Sequence, residues 1–347
     1  MPSPSFDFAV IGINHGHIYG QVDAMLGAGC RLTAFHAVED DLAAQFQKAY
    51  PQARRVADRR AIYDDPKVKL VCGAGIPAER GPMAIDAMRA GKDVMLDKPG
   101  VVNRAALEAL KAAQAETGQI LSILYSEHYA QRSTMQAEAM IKAGAIGRVI
   151  QTVGLGPHRK GNYGTRPDWF WDPARNGSIL TDIASHQFEQ FLSLTGSATA
   201  RIVHSVEANF DTPDHPGFCD YGHAVVASDH ATGFIRVDWL TTEGSPAWGD
   251  GRLIVLGTEG NIELRKYMDT EGRPGGDHLF LTDKKGTRYI DCKDTPLPYG
   301  ARLRDDVLNR TSTAMDQAHC FHAVELAITA HEMATTITGT RPAGVAA

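Results

Sequence analysis

The sequence predicts an α/β fold followed by an α+β fold: a doubly wound parallel sheet, then an open, mostly antiparallel sheet. Short apolar runs alternate with helical stretches over the first third of the chain. From about Ala200 to Ile290 that pattern gives way to strand-rich segments. Turn residues at Asp229–Gly233, Thr258–Gly260 and Lys284–Gly286 separate those segments.

Phe6–Gly12 reads as a buried strand and Gly16–Ala28 as a helix with a glycine-rich end. Arg31–His36 is the next strand, and Asp40–Tyr50 is a helix stopped by Pro51. Val68–Cys72 is a short strand; Arg80–Ala90 is a helix ended by Gly91. Asp93–Leu96 is a strand that runs into Asp97-Lys98-Pro99. Arg104–Thr117 is a helix ended by Gly118, and Ile120–Tyr125 is a strand. Such alternation implies βαβ units with right-handed crossovers, a Rossmann-like sheet.

Gln131–Ala143 reads as a linking helix. Thr181–Leu194 reads as another, with Ile183, Ala184, Phe188, Phe191 and Leu192 as an inward stripe. Strand segments follow, among them ARIVHSVEANF (200–210) and RLIVLGTEGNIEL (252–264). Asp269–Asp277 is an exposed loop, and a helix over 312–338 closes the chain. The expected division is 1–126 as a dinucleotide-binding domain and 127–347 as a substrate-binding and oligomerisation domain. The closing helix is expected to pack back on the first.

A chain of 347 residues accommodates two such domains. A net charge of −6 offers no basic surface for nucleic acid. No apolar stretch approaches the roughly 18 residues of a membrane helix. Met1–Phe6 lacks a signal-peptide pattern, so a cytoplasmic protein is expected. The five cysteines are scattered, odd in number and without a CxxC, which favours reduced thiols over disulfides or a zinc knuckle.

Four segments carry candidate chemistry. In GINHGH, Gly12 supplies the tight turn of a phosphate loop, while Asn14 and His17 stand where further glycines are usual. Asn tolerates a left-handed backbone, so both a phosphate loop and an ordinary βα turn fit. At the end of the second strand His36 stands where a ribose-binding acid is usual, with Glu39 the nearest carboxylate. No Arg or Lys follows within that turn, and NAD or NADP stays open. Asp97 and Lys98 lie at the carboxyl end of a buried strand, where polar groups are costly without a purpose. Lys98 is suited to orient a substrate hydroxyl and relay its proton. Asp182 and His186, four apart on a helix, fit either a general base with an orienting acid or a helix ion pair. His15 and His17 form an H-x-H pair, but no third ligand lies near in sequence, and no metal is expected.

Together these residues resemble the Gfo/Idh/MocA family of glucose–fructose oxidoreductase, inositol dehydrogenase and relatives. Asp97-Lys98-Pro99 resembles the family's E-K-P at the end of the fifth strand, with Asp for Glu. NGSILTDIASHQFEQF (176–191) resembles its D-x-x-x-H helix, and RPDWFWDP (166–173) the Trp and Asp-Pro approach to it. The resemblance implies hydride transfer between NAD or NADP and a carbinol or carbonyl carbon of a sugar, inositol or related polyol. It implies that Lys98 hydrogen-bonds the reacting hydroxyl, that His186 is the general acid/base and that Asp182 binds or orients. It makes Pro99 a cis-proline. It places Gly12, Asn14, His15, His17, His36, Ile76, Pro77, Asp97, Lys98 and Pro99 at the cofactor. His128, His158, Arg159 and Trp169 are weaker candidates for the substrate pocket, with solvated loop residues as the plainer reading of the first three. A homodimer or homotetramer through the second sheet is implied. Two other readings compete: a non-catalytic NAD(P)- or sugar-binding sensor on the same fold, and a metal-dependent lyase or hydrolase.

Overall fold

The first strand is apolar on both faces, and Phe8, Ala9 and Val10 are fully buried in it. That pattern marks a strand covered on both sides. In the computed structural model, which describes residues 6–161 and 166–338, it is β1 (Asp7–Ile11) at the centre of a six-stranded parallel sheet.

The chain forms two compact units. The first is the chain up to Tyr129 together with Leu297–Glu325; the second is Ala130–Pro296 with the chain from Leu326 onward. A single cut after residue 126 therefore gives way to three crossings.

The first unit contains β1, α1 (His17–Gly27), β2 (Arg31–His36), α2 (Asp40–Ala49), β3 (Arg54–Arg55) and α3 (Arg60–Tyr63). It continues through β4 (Val68–Gly73), α4 (Pro77–Arg89), β5 (Asp93–Asp97), α5 (Arg104–Thr117), β6 (Leu121–Leu124) and α6 (Ser126–Tyr129). Strand order is β3-β2-β1-β4-β5-β6, all parallel. Order therefore reverses between β1 and β4, and the carboxyl ends there open the crevice where such sheets bind ligands. Asn103 caps α5 through the Ala106 amide, and Gly118 ends it in a left-handed turn at φ 65°. α4 begins three residues earlier than its apolar pattern suggests, because Pro77 is well suited to the first helical turn.

The second unit contains α7 (Arg132–Lys142), β7 (Val149–Pro157), α8 (Asp168–Trp171), α9 (Pro173–Asn176), α10 (Ile179–Asp182) and α11 (Ala184–Thr195). Strands β8 (Arg201–Asn209), β9 (Tyr221–Ala227), β10 (Thr232–Asp238), β11 (Arg252–Gly257), β12 (Gly260–Arg265), β13 (His278–Asp283) and β14 (Gly286–Ile290) follow. The chain then runs through α12 (Tyr299–Asn309), which belongs to the first unit, α13 (Gln317–Glu332) and β15 (Thr335–Thr338).

The second sheet has nine strands, ordered β14-β13-β12-β11-β7-β10-β9-β8-β15. It is antiparallel except where β7 meets β10 and β8 meets β15. Strand β7 escapes sequence reading because Gly154 and Gly156 weaken its pattern. Their lack of side chains lets α11 approach: a Cβ at Gly154 would strike Gln187, and one at Gly156 would lie 3.1 Å from Ile183.

The closing helix is shorter than 312–338. Beyond Glu332 comes Thr335-Thr336-Ile337-Thr338, a β-branched run that loses rotamer freedom in a helix. It pairs with Val206–Asn209 as an edge strand. Helix α12 is absent from the sequence reading because Pro296, Pro298 and Gly300 read as loop. Its Tyr299, Leu303 and Val307 join the core that holds Phe8, Val10 and Val22. Among the described residues no helix is long and apolar enough to cross a membrane.

Candidate active site

Gly12 ends β1 with φ +80°, a conformation that strains other residues. Its N–H donates to the His36 carbonyl at 3.1 Å, and its carbonyl accepts from the Ala74 N–H at 3.0 Å. The His15 N–H donates to the Ala74 carbonyl at 2.8 Å. The loop is thus laced to the ends of both neighbouring strands. A Cβ on Gly12 would lie 2.8 Å from Gly75 Cα. Two glycine backbones meet face to face here and leave room for a ligand against bare main chain.

Among the described residues the amides of Asn14 and Gly16 have no protein partner. With α1 starting at His17, they are donors available to an anion at a helix N-terminus. The loop therefore fits a dinucleotide pyrophosphate without its second and third glycines. Asn14, Gly12, His36, Glu39 and Arg59 line a cavity of about 120 Å³. Asn14 Nδ2 donates to Glu39 Oε1 at 2.8 Å, which aims the acid into this cavity. Glu39 thus stands beside His36 in the lining of this cavity. Burial lowers the His36 imidazole, and the Arg59 guanidinium lowers it further. No Arg or Lys follows within the turn, as read, but Arg59, 20 residues beyond Glu39, brings a basic group to this cavity. Pro77 opens α4 as its first residue, with Ile76 buried before it.

Asp97 and Lys98 are almost fully buried, and the Lys98–Pro99 peptide is cis, as the resemblance implied. Arg80, 1% exposed on α4, organises this turn. Its Nε donates to the Gly75 carbonyl at 2.7 Å, and its guanidinium donates to the carbonyls of Asp97 and Lys98. The same group is 3.1 Å from Asp97 Oδ2. Two histidines complete the set: His17 Nδ1 is 2.8 Å from Asp97 Oδ1, and His15 Nδ1 is 3.3 Å from Asp97 Oδ2. Burial alone would raise the Asp97 carboxyl, but His17, Arg80 and His15 outweigh it and hold it well below the usual carboxylate range. Desolvation, then His17, holds His15 well below the usual imidazole value despite the opposing Asp97.

In the second unit Asp172 caps α9, and a Ser178–Thr181 capping box starts α10. Asp182 ends α10 and His186 lies in α11, with Ile183 between the two helices. The single helix expected over 181–194 is interrupted because the Ser185 hydroxyl takes the Asp182 carbonyl at 2.7 Å. The His186 N–H turns instead to the Ile183 carbonyl at 3.2 Å. Both Asp182 and His186 are buried.

The weaker candidates separate. His128 is fully buried and stacks on Tyr129 with ring centroids 4.3 Å apart, so it is no solvated loop residue. His158 packs edge-on against Trp239 and Trp248. Arg159 spends its guanidinium on the carbonyls of Thr242, Ser245 and Ala247, where it staples a loop. Trp169 is half-buried. Arg159 also lines a cleft of about 750 Å³ with Arg166, Trp171, His215 and Trp239. Trp171 and His215 stack at 4.1 Å and 2°. Trp239 also borders the small cavity that holds Asp182. Sequence reading missed Arg80, Arg59, Trp171, His215 and Trp239. Nothing in their local pattern marks them, since their partners are distant in sequence.

A dinucleotide sheet with a buried Asp-Lys-cis-Pro at its carboxyl edge defines an NAD(P)-binding oxidoreductase. The chain belongs to the GFO/IDH/MocA family. The family's oxidoreductase module, described as an NAD-binding Rossmann fold, matches residues 6–125, and its GFO/IDH/MocA C-terminal domain matches residues 134–263. A crystal structure from Erwinia carotovora atroseptica SCRI1043, provisionally classed as an oxidoreductase, is 38% identical, with a TM-score of 0.93 over 96% of this chain and 99% of that one. The scyllo-inositol 2-dehydrogenase (NAD(+)) of Bacillus subtilis strain 168 is 25% identical over 67% of this chain and 63% of its own. Levoglucosan dehydrogenase in complex with NADH and levoglucosan shares the fold, with a TM-score of 0.79 at 17% identity over 95% of this chain and 98% of that one. The cofactor class is NAD or NADP.

Proposed function

We propose that this chain is an NAD(P)-dependent dehydrogenase acting on a CH–OH carbon of a sugar, inositol or related polyol. The observation that carries the reading is the buried Asp97-Lys98-Pro99 turn held by Arg80. When bound, the nicotinamide supplies the hydride acceptor or donor. Gly12, Gly75 and the amides of Asn14 and Gly16 receive the pyrophosphate, and Glu39 accepts from ribose hydroxyls. Lys98 donates to the reacting oxygen and steadies the charge that develops there. His186 takes the hydroxyl proton during oxidation and returns it during reduction. Asp182 orients the substrate or the imidazole. The relatives that act on inositol and levoglucosan support a polyol or sugar substrate.

Calorimetry with NAD(H) and NADP(H) tests this directly. One equivalent of at least one of the four should bind, and a panel of sugars and polyols should yield turnover. No binding of any of the four overturns the reading. Binding without turnover on the whole panel would make the chain a sensor.

We also propose that two copies pair through the second sheet. Phe234, Ile254 and Leu256 project from β10 and β11 with 37–40% exposure, a row of apolar side chains seldom left to water. Light scattering should give at least twice 37.6 kDa. A monomer at micromolar concentration contradicts it.

A further inference from the structure

The H-x-H pair of the sequence lacked a third ligand. Folding supplies one. One ring nitrogen of His15, one of His17 and an Asp97 carboxylate oxygen all lie within 4.8 Å of one another. The three come from the phosphate loop, the first turn of α1 and the end of β5. Two of them are also sites where this chain departs from its family resemblance: His17 for a glycine in the loop, and Asp97 for Glu in E-K-P. These departures meet at one point.

The His17 N–H points at His15 Nδ1 from 3.3 Å, and the same nitrogen is 3.3 Å from Asp97 Oδ2. The Arg80 guanidinium lies 3.1 Å from that oxygen, so a metal would share the carboxylate with it. Zinc-type bonds of about 2.0–2.2 Å put tetrahedral ligands roughly 3.3 Å apart. His15 Nδ1 lies at that spacing from Asp97 Oδ2, whereas His17 Nδ1 is at hydrogen-bond distance, 2.8 Å, from Asp97 Oδ1 and would move apart on metal binding. His15 and His17 are each about a third exposed, at 31% and 34%, which leaves an ion a way in.

We propose that His15, His17 and Asp97 form a two-histidine, one-carboxylate site for a divalent transition metal, with its remaining positions open to water or an anionic ligand. Arg80 lies on Asp97, and Lys98 follows it in the chain. Their charges work against a divalent ion. The site therefore depends on imidazole donors, which suit Zn²⁺ and Co²⁺, and it should reject Mg²⁺ and Ca²⁺. The inference is independent of the dehydrogenase reading, because metal binding is read without turnover.

The test uses tag-free full-length protein, stripped with chelator and free of dinucleotide. Calorimetry with Zn²⁺ and visible absorption with Co²⁺ should each report one equivalent per chain, and Mg²⁺ should give no heat. His15→Ala and His17→Ala should each weaken Co²⁺ binding by about 100-fold or more. Asp97→Asn should do the same, with circular dichroism to confirm its fold; the variants at the two partly exposed histidines carry the test if it misfolds. His204→Ala, at a histidine pair on the second sheet, should bind like the parent. No stoichiometric Co²⁺ or Zn²⁺ in the parent overturns the proposal. So does unchanged binding in both histidine variants, or a loss that follows His204.

Discussion

Lys98→Met is expected to lower sugar or polyol turnover by roughly 100- to 10,000-fold, the range a positioned proton donor supplies. That is a loss of about 2.7–5.4 kcal/mol of transition-state stabilisation. Methionine keeps most of the apolar stem and removes the ammonium. Lys98 is only 3% exposed, so an alanine would add a cavity and confuse the result. Cofactor affinity, read by tryptophan quenching, should change little, because the proposed pyrophosphate contacts lie at Gly12, Asn14 and Gly16. Steady-state kinetics on the true substrate give the answer. Near-full activity would remove Lys98 from the mechanism.

The second large effect is expected at Arg80. Arg80→Ala strips the guanidinium from a carboxylate that is 1% exposed. Removing one partner of a buried ion pair costs about 3–5 kcal/mol. For a chain of this size the melting temperature should fall by on the order of ten degrees. The pH dependence follows from the sign of the Asp97 shift. Its folded value is depressed, so its stabilisation is present above the unfolded value of about 3.9 and is lost as pH falls through the folded value. Without Arg80 the folded value rises, and the loss begins at higher pH. Parent and variant melts should differ most near neutrality and converge in acid. A difference that persists undiminished below the unfolded carboxylate value of about 3.9 would show that the pair does not set the cost. Arg80→Lys should keep part of the stability but not the reach to the Gly75 and Lys98 carbonyls, so turnover should fall with it.

Arg80 also shows where sequence reading stops. The alternation of strands and helices, the loop at Gly12 and the strand end at Asp97 were legible because each depends on patterns within about ten residues, whereas the two-residue β3 and the order of the strands were not. The Arg80 contacts depend on α4 packing beside β5, 17 residues away, and nothing near Arg80 marks it. Glu39 was noticed but not placed, because the Asn14 bond that aims it spans 25 residues. Strand β7 was hidden by the glycines that let α11 seat on it. The run at 335–338 was read as helix although its β-branched residues favour a strand, and only its pairing with β8 decides. Asp182 and His186 were found by spacing, while the interruption between them comes from a serine hydroxyl.

The first unit is assembled from two stretches of chain separated by 167 residues, Ala130–Pro296. Tyr299 reaches Ser122 at 2.6 Å and joins the apolar interior of β1. The second unit likewise waits for residues after Leu326. During synthesis the first unit lacks its contacts from Leu297–Glu325, and the second its contacts from Leu326 onward, until those segments emerge. A prematurely terminated product would expose the apolar bed meant for α12, and it would be a target for chaperones and proteases.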